Sequence, residues 1–307
     1  MSARTLLALV GPTAVGKTEL SLSLARALGA EIVSVDSMLV YRGMDLGTAK
    51  PNHAQRAEVP HHLIDLVEPS EPFSIATYQL AANEAIAGID ARGRSALLVG
   101  GSGLYLRAIV DDLALPGTDP TTRAALEREA AAVGAQRMYD RLVTLDPVAA
   151  GRIQPANVRR TVRALEVPAI TGRPFSAFAE SWERYDPGAV RAAGLRMARD
   201  VLVARIRDRV DAMLAAGWLG EVRGLMDRGL GRWLTSSQAI GYAELALHVR
   251  GEMTLEDATD AVVKRTANLA RRQMAWFRRD PRIRWFDVDE AGPAATFEPI
   301  LAHLEDR

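Results

Sequence analysis

Residues 5 to 10, TLLALV, form a short uninterrupted apolar run, the pattern of a strand buried on both faces. Helical periodicity takes over from 17 to 28 and stops at Gly29, a residue suited to a left-handed helix end. EIVSVD at 31 to 36 reads as a second strand. FSIATYQLAANEAIAGIDARG at 73 to 93 returns to helical spacing, with Ser74 placed to cap it, and SALLVGG at 95 to 101 is a third strand. Strand, helix, strand, helix, strand predicts a parallel α/β sheet.

The pattern changes after LPGTDP at 115 to 120. From there to about 193 the chain is rich in Ala and Arg, helical in period and poor in strand signal, punctuated by turns at TGRP and YDPG. GLRMA at 194 to 198 reads as a strand returning to the core. Long amphipathic helices follow around 200 to 228 and 254 to 279, and a peripheral helix after Asp289. The predicted organisation is an α/β core of the phosphate-loop nucleotide-kinase type from 1–117 and 194–307, its parallel sheet flanked by helices. An all-helical insertion fills 118–193. No internal repeat interrupts it.

Composition narrows the classes. The 38 basic and 38 acidic residues cancel, so no global field advertises a nucleic-acid partner. Cysteine is absent, which excludes a disulfide framework and cysteine-ligated zinc. No apolar run approaches the ~18 residues of a spanning helix. MSARTLLALV is signal-like but runs straight into GPTAVGKT, so cleavage would destroy that loop; a protein of the cytoplasm, with no membrane partner, is expected. Only Lys17, Lys50 and Lys264 are lysines, a bias that base composition explains, and two of them fall within motifs where a compact point charge is useful.

GPTAVGKT, residues 11 to 18, fits G-x-x-x-x-G-K-[ST] between a strand and a helix. Backbone amides from Thr13 to Thr18 would wrap a diphosphate at the positive end of the helix, Lys17 would neutralise it, and the Thr18 hydroxyl can hold Mg²⁺. A phosphate-loop hydrolase usually carries a strand-end acid for the metal. Here the third strand ends SALLVGGSGLY with no acid, and the strand-end carboxylate near the loop is Asp36. Asp36 is either a metal ligand or cap, or a proton acceptor facing the reacting centre.

Taken together, GPTAVGKT, DSMLVYRGMDLGTAKP, HHLID, GGSGLYLRA, LDPVAAGRIQPANVRRTVRALEV, TGRP, RIRDRVDAML, QAIGYAEL and RRQMAWFRRDP resemble, in order and across nearly the whole chain, the tRNA dimethylallyltransferases. The resemblance implies transfer of a dimethylallyl group from its diphosphate to N6 of an adenosine beside the anticodon, in tRNAs reading codons that begin with U. It implies Mg²⁺ and no chemical use of ATP. The implied catalytic residues are Asp36, as proton acceptor, and Ser102, standing where the family usually has threonine. The implied diphosphate ligands are Gly11, Thr13, Ala14, Val15, Gly16, Lys17, Thr18 and Arg209. Helical spacing puts Arg205 on the face of Arg209 and turns Arg207 away.

For the tRNA, the resemblance implies contacts from Asp36, Ser37, Met38, Leu39 and Ser102 to the target base. Arg123, Arg159, Arg160, Thr161, Val162 and Arg163 would meet the RNA from the insertion, where Pro155-Ala156-Asn157 departs from the usual Pro-Asn-Asp. Gln238, Arg271, Arg272 and Gln273 complete the implied set, and a monomer is expected. Eight basic residues and one acid lie from Lys264 to Arg284, interleaved with Trp276, Phe277 and Trp285, a composition suited to phosphate contacts, though Trp276 and Phe277 fit core packing better. Reaction at a base amine requires the adenine to leave its stack. Lys50 is open between a substrate contact and a structural ion pair; His61 and His62 read as loop hydrogen-bonding residues. The rival readings are a small-molecule kinase using the same loop, a prenyltransferase for free adenine nucleotides, and a non-catalytic RNA-binding module.

Overall fold

A computed structural model describes residues 5–178, 184–289 and 292–306. Two compact units emerge, residues 1–110 with 186–307, and residues 111–185.

The larger unit begins β1 (Leu6–Val10), α1 (Lys17–Ala27), β2 (Ala30–Val35), α2 (His53–Glu58), β3 (His61–His62), α3 (Ile75–Ala91), β4 (Ser95–Gly100) and α4 (Gly103–Val110). The smaller unit holds α5 (Pro120–Val133), α6 (Ala135–Leu145), α7 (Pro147–Ala150) and α8 (Val158–Thr171). The larger one resumes with β5 (Val190–Arg196), α9 (Arg199–Ala215), α10 (Trp218–Asp227), α11 (Tyr242–Val249), α12 (Leu255–Phe277), β6 (Ile283–Asp287) and α13 (Phe297–Glu305).

The six strands form one parallel sheet in the order β3-β2-β4-β1-β5-β6. β1 lies inside it, between β4 and β5, which is why LLALV carries no polar residue. Strands β2 to β4 are laid down on one side of β1 and β5 and β6 on the other, and in open parallel sheets ligands bind at the carboxyl ends of strands near such a switch point. The ends of β2 and β4 approach so closely that a Cβ on Gly100 would lie 2.1 Å from the Val35 carbonyl oxygen. Glycine is the residue that permits this approach.

The smaller unit has its own core, built from Leu126, Met138, Leu142, Ile153, Val162 and Leu165. Asn157 caps α8 by accepting from the Arg160 amide at 3.2 Å, so the departure from Pro-Asn-Asp still starts the helix. Asp146 caps α7 from the Ala149 amide at 3.0 Å and takes the Ser176 amide at 2.8 Å.

The expected insertion boundaries shift. β5 starts at Val190, four residues before GLRMA, because VRAA is also buried against β1, and the helical unit accordingly ends at 185. The expected helix from 200 to 228 is two, broken at Gly217, whose φ of 103° no other residue adopts cheaply. IRWFD, read as part of a basic stretch, is the edge strand β6.

Candidate active site

Between β1 and α1 the chain takes left-handed conformations at Ala14 (φ 66°) and Gly16 (φ 103°). These turns curl successive amides toward one point, a concave anion site at the start of a helix. Left-handed backbone costs a non-glycine residue such as Ala14 about 1 kcal/mol, so the surrounding fold holds it there. Gly16 could carry no side chain in any case, since a Cβ would meet the Pro293 ring at 2.5 Å.

Three cations converge on this loop. The Lys17 ammonium donates to the Gly11 carbonyl at 3.0 Å and the Pro12 carbonyl at 2.7 Å. From α9, Arg209 donates to Thr13 Oγ1 at 3.3 Å and Arg205 to the Ala14 carbonyl at 3.1 Å. Arg207 points the other way, to Asp260 at 2.7 Å, as the helical spacing predicted. Burial and the neighbouring Arg209 push Lys17 down to about 7, against the pull of Asp36. Burial, then Arg205, lowers Arg209 as well. Positive charge is concentrated here beyond what the local carboxylates compensate, and an anion is the remedy.

Asp36 sits at the end of β2. Its Oδ1 accepts from the Met38 amide at 2.8 Å, so the carboxylate caps its own turn while facing the loop. Burial raises its pKa, opposed by the Met38 amide, by Lys17 and by the Leu39 amide. A carboxyl raised in this way is a stronger base than a solvated aspartate.

Loop and carboxylate open into one cleft. Thr13, Ala14, Gly16, Lys17, Thr18 and Arg209 form its anionic-ligand end. Ile32, Leu39, Pro51, Ile64 and Val99 give it an apolar wall, with Ser34 and His61 set among them. The segment 45–50, whose Thr48 and Ala49 line the cleft, is fixed by Glu221, which accepts from the amides of Asp45 (2.9 Å), Leu46 (2.8 Å) and Gly47 (3.3 Å). Lys50 resolves as structural: its buried ammonium binds the Tyr41 carbonyl at 2.7 Å and Asp45 and Asp65 at 2.6 Å each. The histidines are hydrogen-bonding residues, His61 to the Val59 carbonyl and His62 to Glu31, both at 2.7 Å.

Several expected residues have other surroundings. Val15 is fully buried, so it can offer only its backbone, and Gly11 contributes a carbonyl to Lys17 instead of lining the cleft. Ser37, Met38 and Ser102 are partly exposed and lie off the cleft wall; the Ser102 amide donates to the Val35 carbonyl at 3.2 Å. Gln273 faces the phosphate loop, accepting from the Thr13 amide at 2.9 Å. It packs over Gly101, where a Cβ would come within 2.3 Å of its amide nitrogen. Its spacing along α12 gave no sign of this long-range contact.

In the helical unit, Thr161 and Val162 are buried and cannot touch RNA. Arg163 donates to the Pro116 carbonyl (2.6 Å), the Gly117 carbonyl (2.9 Å) and Glu166 (2.7 Å), and Arg123 to the same carboxylate at 2.5 Å. The Glu166 side chain is 0% exposed, so these two arginines compensate a buried charge. Arg159, Arg160, Gln238, Arg271 and Arg272 are exposed; the Gln238 amide donates to the Leu234 carbonyl at 2.8 Å. Arg205 and Glu221 are the additions sequence reasoning did not assign to the site.

A parallel sheet with a phosphate loop on one strand, a half-buried carboxylate on another and an apolar wall between them defines a phosphate-loop α/β enzyme for an apolar diphosphate ester. The chain belongs to the IPP transferase family, whose model matches residues 39–280, and an isopentenyl transferase model matches residues 4–63. It is 52% identical over 303 residues to the tRNA dimethylallyltransferase of Roseiflexus castenholzii, covering 98% of both chains. To the tRNA dimethylallyltransferase of Desulforudis audaxviator it is 46% identical over 302 residues, covering 98% of this chain and 97% of that one. The crystal structure of the tRNA isopentenylpyrophosphate transferase of Bacillus halodurans superposes with a TM-score of 0.70 at 42% identity, covering 99% and 98% of the two chains. A eukaryotic dimethylallyltransferase acting on tRNA gives a TM-score of 0.76 at 25% identity, over 96% of this chain and 76% of that one.

Proposed function

We propose that this chain transfers a dimethylallyl group from dimethylallyl diphosphate to N6 of an adenosine in tRNA, releasing pyrophosphate. The acceptor is adenosine 37, beside the anticodon of tRNAs reading codons that begin with U. The observation that carries the reading is the sharing of one cleft by a cation-lined phosphate loop, an apolar wall and the half-buried Asp36.

An allylic diphosphate ionises as charge builds on its oxygens, because the departing cation is resonance-stabilised. The loop amides, Lys17, Arg205 and Arg209 surround the place where that charge develops, and fixed donors act there without reorganising. The adenine amine is a weak nucleophile, its lone pair being delocalised into the ring. Asp36 accepts its proton as the carbon–nitrogen bond forms. Ser102, at the end of β4, is a candidate contact for the flipped base.

Mg²⁺ fits the donor set. Among the described residues no three carboxylate, histidine or cysteine side chains form a cage. Magnesium is commonly held by few protein oxygens and several substrate phosphate oxygens. Thr18, on the cleft wall, would supply its hydroxyl, and the cation when bound adds positive charge to the leaving diphosphate. Exposed Arg159 and Arg160 in the helical unit and Arg271 and Arg272 on α12 supply phosphate contacts for tRNA. The enzyme acts as a monomer in the cytoplasm; among the described residues no helix is long and apolar enough to cross a membrane.

The test is incubation with unmodified tRNA and dimethylallyl diphosphate, followed by mass analysis of the anticodon-loop fragment. One dimethylallyl group on the fragment and an equivalent of pyrophosphate are expected. Phosphorylated product from labelled ATP, with the RNA mass unchanged, would establish the kinase reading instead.

A further inference from the structure

One stretch of the cleft wall is held from outside the sheet. Ile32 and Val99 are fixed by the ladder between β2 and β4, but Thr48, Ala49 and Pro51 line the cleft from a loop. The Thr48 hydroxyl is taken up by the Met44 carbonyl at 2.6 Å, so the side chains of this loop offer the cleft hydrocarbon. Ala49 holds φ at 54°, a left-handed conformation that a residue with a β carbon adopts only at a cost, so contacts beyond the residue itself keep it there.

Two anchors flank Thr48 and Ala49. After them comes the buried Lys50 ammonium, bound to the Tyr41 carbonyl, Asp45 and Asp65. Before them the amides of Asp45, Leu46 and Gly47 close around the Glu221 carboxylate, three consecutive N–H groups on one anion. A fourth donor is the hydroxyl of Tyr242, fully buried on α11, which reaches Glu221 Oε1 at 2.7 Å. Burial and the charge of Glu221 raise the Tyr242 pKa, so the hydroxyl keeps its proton and donates. Four donors fill the four acceptor positions of a carboxylate. Glu221 has none left for a ligand, and it does not line the cleft. The backbone lies close enough to α10 for these bonds because residue 47 is glycine: a Cβ there would come within 2.3 Å of Trp218 Nε1. The Trp218 ring in turn meets Tyr242 edge-on, with centroids 5.8 Å apart.

We propose that Glu221 is a positioning residue for the donor: it sets the loop face of Thr48, Ala49 and Pro51 against the alkyl group, and so strengthens binding of the hydrocarbon without touching it. This inference rests on the prenyl-transfer reading above. The phosphate loop has separate supports in Lys17, Arg205, Arg209 and Gln273, none of them bonded to Glu221. Loss of the carboxylate therefore loosens the grip on the alkyl group and leaves the diphosphate end as it is. Contact with the alkyl group is made before and during transfer alike, so the loss falls on donor affinity more than on turnover.

The experiment is calorimetric titration without tRNA, comparing dimethylallyl diphosphate with inorganic pyrophosphate, which fills the phosphate loop and leaves the alkyl wall uncovered. In Glu221→Ala the Kd for dimethylallyl diphosphate should rise about tenfold, the worth of one or two methyl groups no longer buried, while the Kd for pyrophosphate keeps its native value. Tyr242→Phe, which removes one of the four donors, should raise the first Kd about threefold and spare the second. Unchanged pyrophosphate binding shows that each variant is folded with its phosphate loop intact, a pattern that general loss of structure would not give. Where Glu221→Ala binds neither ligand, Glu221→Gln, which keeps the length of the side chain, decides by the same ratio. A ratio of the two Kd values unchanged in the Glu221 variant and in Tyr242→Phe, or a pyrophosphate Kd that rises in step with the other, overturns the positioning role and leaves the proposed function standing. No transfer to tRNA by the native enzyme overturns the proposed function, and together with an unchanged ratio overturns both.

Discussion

Lys17 gives the sharpest test of how the phosphate loop works. Its ammonium, held at about 7 by burial and Arg209, should lose its proton near neutrality when no anion is bound. An alkyl diphosphate placed on the loop reverses both causes, adding negative charge within contact distance and returning the lysine toward its ordinary 10.5. At about pH 8 a group at about 7 is roughly one-tenth protonated, and a group near 10.5 fully so, so binding should take up about 0.9 proton. At about pH 6 Lys17 is already charged in both states and its uptake should vanish. The linkage also has a sign for the ligand-free fold. Because the folded value lies below the unfolded one, the unfolded chain binds more protons between about pH 7 and 10, and ligand-free stability should rise with pH across that window.

Calorimetric titration with dimethylallyl diphosphate in the absence of tRNA, repeated in buffers of different ionisation enthalpy, measures the uptake directly. The donor's own phosphate is fully ionised by about pH 8, its last pKa lying near 6, so it contributes little there. Lys17→Met should bind the donor more weakly and abolish the uptake. A native enzyme that takes up no proton at about pH 8, or a methionine variant that takes up as much as the native one, would refute the electrostatic account of the loop.

Asp36→Asn should lower turnover by ~100-fold or more while leaving tRNA and donor binding largely intact, as single-turnover rates and equilibrium binding can show together; a normal rate removes Asp36 from proton transfer. Gln273→Ala frees the Thr13 amide, and should raise the donor KM ~3- to 10-fold with a smaller effect on tRNA affinity; the opposite pattern would make Gln273 an RNA contact. Arg163→Ala strips a partner from the fully buried Glu166 and should destabilise the helical unit by about 3 kcal/mol, seen by chemical denaturation. Arg160→Ala, exposed on α8, should instead weaken tRNA binding and flatten its salt dependence by about one unit of slope. Equal stability of the two variants would place Arg163 among the RNA contacts after all.

How much of this was legible in the sequence depends on the range of the interactions involved. The strands β1, β2 and β4 are written in short apolar runs, and the phosphate loop in eight consecutive residues whose backbone does the work. Asp36 is legible because it ends one of those runs. Arg205 and Arg209 share a helical face, so local geometry pairs them, while the fold brings that face to the loop. What sequence could not give is any pairing closed by the fold alone. Gln273 lies 260 residues from the amide it caps. Glu221 reaches loop amides 174 to 176 residues away. Arg123 and Arg163 look like RNA-facing cations until the buried Glu166 is seen between them. The sign of that error is instructive: a basic run on a helix announces charge, but the burial of one acid three residues further on decides whether that charge faces solvent or stays within the fold.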